Sequence, residues 1–301
     1  MNKYRIALLP GDGVGPELLK SACRVLDEVQ KNTADFRLEF VEYPFGKQAL
    51  DDFGAVLPDQ TLEGVRMADA VLIGAVNTGD ISGLSPLGRI RKELNLFADV
   101  RPVKTFPGVW SLKPNIDLVC IRENMEGFLA DRNLFKGYGE FMPTEDTVVS
   151  LRLLTREGCE RISRFAFEYA RQHQRKRITA VHKCNVLKMG CGFFLEIVRQ
   201  TAREYPDIEL KDEYIDNVAH NLIKSPDKYD VILTTNLFGD IISDEASALV
   251  SGLVPTGNIG QAASVFLPVN HNPRYEAAGK NIINPLPMIL CAGMMLGHLG
   301  E

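Results

Sequence analysis

The sequence predicts an α/β fold with a largely parallel core. Short apolar runs of strand length alternate with longer segments of helical period, and this alternation recurs along most of the chain. At 301 residues the chain is long enough for one large or two medium domains with a real core. It contains no internal repeats and no low-complexity segments.

RIALLP at 5–10 reads as a buried strand, GDGVGPE at 11–17 as a glycine-rich loop, and LLKSACRVLDEVQ at 18–30 as an amphipathic helix. ADAVLIGAV at 68–76 and DLVCIREN at 117–124 are further strands. Residues 133–147 lack helical period and hold Gly137, Gly139 and Pro143, so an arm or hairpin is expected there. Helical period returns at 156–172, followed by a strand at 177–183, a helix at 191–205 and a strand at 229–236.

A hydrophobic fraction of 45% and a charged fraction of 24% are those of an ordinary globular protein. The net charge of −5 offers no general basic surface for nucleic acid. Six scattered cysteines without CxxC spacing suggest free thiols in a reducing compartment. The first residues run straight into an apolar strand, so no signal peptide is expected, and no apolar run approaches the length of a membrane span. A cytoplasmic location, without membrane contact, is the expectation.

The chemistry is most legible in TTNLFGDIISDEASAL at 234–249. Asp240 and Asp244 are four residues apart at the start of a helix, so they share one face. A carboxylate pair repels itself unless a proton or cation stands between its members. The local neighbours Asn236, Gly239 and Ser243 supply no competing positive side chain, which makes a hard divalent cation the natural partner. On spacing alone, acids drawn to a first helical turn by the helix dipole remain an adequate explanation. The loop GDGVGPE invites a dinucleotide reading, but its spacing is G-x-G-x-G, and Asp12 adds a charge where pyrophosphate would approach. As a classical Rossmann fingerprint it fails.

Taken together, GDGVGPE at 11–17, RIRKELNLFADVRP at 89–102, IRENMEG at 121–127, HKCNVLK at 182–188, YID at 214–216, NLFGDIISDE at 236–245 and AAGKNIINP at 277–285 resemble the β-decarboxylating dehydrogenases. That family comprises the isocitrate, 3-isopropylmalate, homoisocitrate and tartrate dehydrogenases. The resemblance implies two α/β domains around a large mixed sheet. Residues 1–99 with 250–301 would bind cofactor, and residues 100–249, with an arm at about 130–147, would bind substrate and metal and form a homodimer.

By resemblance, Asp240, Asp244 and a partner subunit's copy of Asp216 are ligands of Mg2+ or Mn2+. Lys183, also from the partner, is the base, with Asp216 counted beside it as catalytic. Oxidising a 2-hydroxy acid needs such a cation to grip the hydroxyl and a base to take its proton. Arg91, Arg101 and Arg122 match the family's carboxylate clamp, and Ser85 matches a serine that isocitrate enzymes place on the γ-carboxylate. Glu276 matches the acid that binds the adenosine ribose and selects NAD over NADP. Asn284 would contact adenine, while Asn185, the Gly74–Asn77 turn with Ala75, and the loop at His271 lie where the family holds the rest of the cofactor.

Three departures accompany the match. Leu129 stands where the family's tyrosine protonates the enol after CO2 loss, and leucine has no proton to donate. The cofactor loop reads His271-Asn272-Pro273-Arg274-Tyr275 instead of His-Gly-Ser-Ala-Pro, with Asn270 as an apparent insertion. The chain stops at Glu301, roughly where resembling proteins continue through a C-terminal helix and tail. In the specificity segment at 81–90, Leu84 and Leu87 replace a glutamate and an asparagine of the two best-known subclasses. Arg89 adds a positive charge there, although an exposed arginine near a helix start is an equally good reading. The expectation is NAD- and metal-dependent oxidative decarboxylation of a small substituted malate with a polar or anionic γ-group, with 3-isopropylmalate less favoured. A catalytically weak regulatory subunit and a tartrate-type dehydrogenase are the alternatives.

Overall fold

The computed structural model describes residues 2–33, 35–77, 85–129, 133, 134 and 136–301. In chain order its elements are β1 (Asn2–Gly11), α1 (Gly15–Thr33), β2 (Phe36–Glu42), α2 (Lys47–Phe53), α3 (Asp59–Arg66), β3 (Ala70–Ala75), α4 (Pro86–Glu93), β4 (Ala98–Lys104) and β5 (Asp117–Glu123). These are followed by β6 (Glu140–Thr144), β7 (Thr147–Ser150), α5 (Arg156–Gln172), β8 (Arg177–His182), α6 (Lys188–Ala202), β9 (Glu209–Tyr214) and α7 (Ile215–Lys224). The chain ends with β10 (Val231–Thr234), α8 (Asn236–Ala248), β11 (Pro255–Ile259), β12 (Ser264–Pro268) and α9 (Leu286–Leu299).

Two compact units result. The first comprises Met1–Leu96 with Gly252–Glu301, and the second Phe97–Ser251. In the first unit the strand order is β2-β1-β3-β12-β11. All neighbours there run parallel except the β11–β12 pair. Every residue of β3 (AVLIGA) is buried, as expected for a parallel strand covered on both faces. In α1 the buried side chains Leu18, Leu19, Ala22, Leu26 and Gln30 recur at helical spacing and form its core-facing stripe.

The second unit has the order β4-β5-β10-β8-β9, parallel except for β4 against β5. The antiparallel pair matters most for the site: Asp99 of β4 stands opposite Arg122 of β5. In α5, which spans the expected 156–172, Thr155 caps the start by accepting from the Gly158 amide at 3.0 Å. The arm is present as the β6–β7 hairpin, a few residues later than its glycines suggest, and every side chain of β6 is exposed. The helix expected at 191–205 starts earlier, at Lys188, because its exposed first turn lies outside the apolar pattern. The α/β class and its mixed strand directions agree with the expectation. Among the described residues no helix is long and apolar enough to cross a membrane.

Candidate active site

Strands β4 and β5 and helix α8 bring five charged side chains of the second unit together. Asp99 and Arg101 are two residues apart on β4 and so share a face of the sheet. Asp99 accepts from Arg101 Nε at 3.2 Å and Nη2 at 3.0 Å, and from Arg122 Nη1 at 3.4 Å. From α8, Asp240 Oδ1 accepts from Arg122 Nη1 at 2.5 Å and from Arg101 Nη2 at 3.2 Å. Asp244 Oδ1 accepts from Arg101 Nη1 at 2.9 Å. The i, i+4 spacing therefore does converge both α8 carboxylates, and they meet on the guanidinium of Arg101.

This corrects the expectation that no positive side chain competes for the pair. Arg101 and Arg122 come from strands more than a hundred residues upstream, outside any local sequence window. Gly239 permits the contact, since a Cβ there would lie 2.6 Å from Arg122 Cβ. Ser243 Oγ accepts from Arg101 Nη1 at 2.8 Å, and Asn236 Oδ1 from Arg122 Nη2 at 2.7 Å. Arg122 Nε and Asn236 Nδ2 are buried without a hydrogen-bond acceptor.

The cluster is graded in exposure. The Asp99 side chain is wholly buried and those of both arginines nearly so, whereas Asp240 and Asp244 are 47% and 66% exposed. Burial weakens the charge on Arg101, but Asp99, Asp240 and Asp244 overcome this and raise its pKa above the ordinary arginine value. For Arg122 burial prevails over Asp99 and Asp240 and lowers the pKa. Arginine starts so high that it remains a cation.

Donor chemistry fits a hard divalent cation: two carboxylates already hold one positive group between them, and both open to solvent. Among the described residues no group of three metal-binding side chains forms within the chain. Asp216, at the start of α7, instead pairs with Lys183, just past β8. The strands leading into these residues are adjacent, with His182 opposite Tyr214. Lys183 is further fixed by its carbonyl, which accepts from the amides of Val186 and Leu187. The hydrogen bond from Lys183 holds the Asp216 carboxyl below the usual range.

The remaining expected substrate residues lie in the first unit. Arg91, in the last turn of α4, donates from Nε to Asn258 Oδ1 at 2.9 Å. Ser85 caps α4 by accepting from the Gly88 amide at 3.1 Å. Arg89 pairs with Asp59 at 3.2 Å and also reaches the Leu57 carbonyl, so its charge is engaged at the start of α3. Leu87 packs in the hydrophobic core. The expectations placed on residues 81–84, including Leu84, lie outside the described residues. Leu129 is half-buried and Tyr138 of the arm is exposed.

Also in the first unit, Asp12 has a structural task. Its carboxylate accepts from the amides of Lys47 at 2.6 Å and Asn77 at 2.9 Å, tying the glycine-rich loop to two neighbouring segments. Gly11 adopts φ +72°, and a Cβ there would sit 1.8 Å from the Ala75 carbonyl oxygen, so the loop packs directly on the end of β3. The altered loop docks on the same place: Val14 N–H donates to Pro273 O at 2.8 Å and Val76 N–H to His271 O at 3.1 Å. In that loop Arg274 takes φ +40°, and the Asn272 side chain accepts from its amide. Glu276 and Asn284 are exposed. Asn284 Oδ1 also accepts from Leu286 N–H at the start of α9. Asn185 is exposed just beyond β8.

Sequence reasoning missed Asp99. The signal was present: an acid between Ala98 and Val100, two residues before Arg101 in a strand, is a buried charge that demands a partner. It also missed Ser243 and Asn236 as hydrogen-bond acceptors for the two arginines.

The sequence profile described as isocitrate/isopropylmalate dehydrogenase matches residues 5–301. The 3-isopropylmalate dehydrogenase of Archaeoglobus fulgidus is 42% identical over 98% of this chain and 86% of the relative. The homoisocitrate dehydrogenase of Methanocaldococcus jannaschii is 38% identical over 99% and 86%. The crystal structure of isocitrate dehydrogenase from Methylococcus capsulatus superposes with a TM-score of 0.87 at 38% identity, covering 100% of this chain and 86% of that one. With the match running through both units and through every motif that carried the resemblance, the chain belongs to the isocitrate/isopropylmalate dehydrogenase family of decarboxylating oxidoreductases.

Proposed function

We propose that the protein carries out NAD- and divalent-metal-dependent oxidative decarboxylation of a substituted malate. The observation that carries this reading is the convergence of Asp240 and Asp244 on one positive group beside two buried arginines. When bound, the divalent cation supplies Lewis acidity at the hydroxyl and carboxylate, and NAD supplies the hydride acceptor. Asp240 and Asp244 would hold the cation, and Arg101 and Arg122, without those partners, would then be available to grip substrate carboxylates. By resemblance Arg91 is a further carboxylate ligand, and Ser85, whose oxygen caps α4, retains its O–H to donate. Glu276 presents a carboxylate suited to ribose hydroxyls and repellent to a 2′-phosphate, while Asn284 keeps its amide donors for adenine. Asn185, Ala75 and His271 complete the expected cofactor contacts.

Lys183 and Asp216 act as a unit in this reading and serve the site of a second copy. Their pairing in one chain supports that, as does the lack, among the described residues, of a third side chain placed to hold a metal with Asp240 and Asp244. Exposed apolar side chains at Val186, Met189, Leu237 and Ile241, together with an isolated two-stranded arm, supply surface for such a homodimer.

A second reading of the γ-group has its own support. Arg89 pairs with exposed Asp59, which offsets part of the positive charge that favoured an anionic γ-group. An apolar substituent, as in 3-isopropylmalate, gains accordingly. The test is a panel of isocitrate, homoisocitrate, 3-isopropylmalate and tartrate with NAD, with Mg2+ or Mn2+ and with chelator. Metal-dependent formation of NADH and CO2 from isocitrate, homoisocitrate or 3-isopropylmalate supports the proposal. Turnover of tartrate alone, or of nothing, refutes it.

A further inference from the structure

Asp99 differs from the other acids of the cluster in one respect: it cannot leave. Asp240 and Asp244 approach the arginines from the solvent side, half-exposed on α8, and can exchange them for another cation. Asp99 lies behind the arginines, wholly buried, held by Arg101 through two nitrogens and facing Arg122 across the antiparallel pair. A carboxylate so placed and charge-assisted from two guanidiniums stays ionised, since neutralising it would leave two buried cations short of a partner.

We infer that Asp99 is a positioning and specificity-determining residue. It fixes the forks of Arg101 and Arg122 and permanently cancels one of their two positive charges, so that this part of the site presents a single net positive charge to substrate. The consequence is discrimination by charge. A substituted malate has two carboxylates, and a γ-carboxylate makes a third. With Asp99 beneath the arginines the third negative charge is under-compensated, so a dianion with an uncharged γ-group is favoured over a trianion. The same burial makes the arrangement rigid. Arg101 is held on three sides, by Asp99, Ser243 and the α8 acids, so its planar face is oriented before substrate arrives.

This inference rests on the substituted-malate reading, and its test separates the two. The probes are 3-isopropylmalate and isocitrate, which share the malate core and differ by one charge at similar bulk. Their binding to the Mg2+-loaded full chain without NAD is measured by calorimetry, so no turnover is needed. Asp99→Asn, which keeps the shape and loses the charge, is expected to shift the affinity ratio toward isocitrate by about tenfold. Asp99→Ser, whose smaller side chain leaves room for water to satisfy the arginines, should shift it the same way and serves if the asparagine variant does not fold. Both variants weakening the two ligands equally would reduce Asp99 to a structural brace and overturn the inference alone. Wild-type protein preferring isocitrate to 3-isopropylmalate would also overturn it. Wild-type protein binding neither would remove the substituted-malate reading and the inference with it.

Discussion

Arg122 Nη1 and Asp240 Oδ1 stand 2.5 Å apart, the arginine buried and the carboxylate half open to solvent. The pair joins the two functions assigned to this region, because one partner would bind substrate and the other metal. Asp240→Asn should therefore abolish metal-dependent turnover and weaken Mn2+ binding by about a hundredfold or more, as loss of a direct ligand exceeds the usual penalty for an outer one. Circular dichroism should show an unchanged fold, since the amide oxygen still accepts from Arg122. Unaltered Mn2+ affinity would show that this acid serves only the arginine.

Glu123 sets a pH dependence of stability. Burial pushes its carboxyl up to about 7, against the hydrogen bonds it accepts from the amides of Met125 and Glu126. The folded protein then holds a proton that the unfolded chain releases near 4.5. The stabilisation is full below pH 4.5 and is lost as pH rises to 7, a loss on the order of 3 kcal/mol. Glu123→Gln should flatten that part of the curve in denaturant titrations. A wild-type stability that rises from pH 4.5 to 7 and does so equally in the variant would contradict this assignment.

Cofactor choice is expected to follow Glu276. Its carboxylate, exposed in the turn after the altered loop, should make NADP a poorer substrate than NAD by about 2–3 kcal/mol, roughly a hundredfold in kcat/KM. Glu276→Gln should narrow the gap by lifting NADP more than it lowers NAD. Equal efficiency with both cofactors in the wild type would mean the side chain does not face the ribose.

Leu129 bears on the last chemical step. If protonation of the enol limits turnover, Leu129→Tyr should accelerate it, since a positioned general acid contributes about 10²–10⁴-fold. A lowered kcat with raised KM would instead assign Leu129 to shaping the substrate pocket. An unchanged rate would mean that another acid, such as exposed Tyr138 on the arm, has the role.

Much of this molecule was legible in the sequence, for reasons that can be traced. Helix α5 was readable to the residue because its apolar stripe is regular and Thr155 caps it. Strand β3 announced itself as a continuous apolar run and β5 by its apolar centre LVCI. By contrast, β9 (ELKDEY) is an edge strand with mostly exposed, charged side chains and carries no apolar pattern. In the site, the spacing of Asp240 and Asp244 was enough to predict that they converge. It could not show what they converge on, because Arg101 and Arg122 arrive through strand pairing that local periodicity does not encode. The partner of Arg89 was hidden for the same reason: Asp59 lies 30 residues away on another helix.

In the proposed reaction, oxidation and CO2 loss occur together at a metal bound by Asp240 and Asp244. The most direct measurement is the amount of NADH formed against the amount of CO2 released in one Mg2+-dependent reaction with the best substrate of the panel. Equal amounts are expected, and neither product when Mg2+ is chelated. NADH without CO2, or full activity in the presence of chelator, would contradict it.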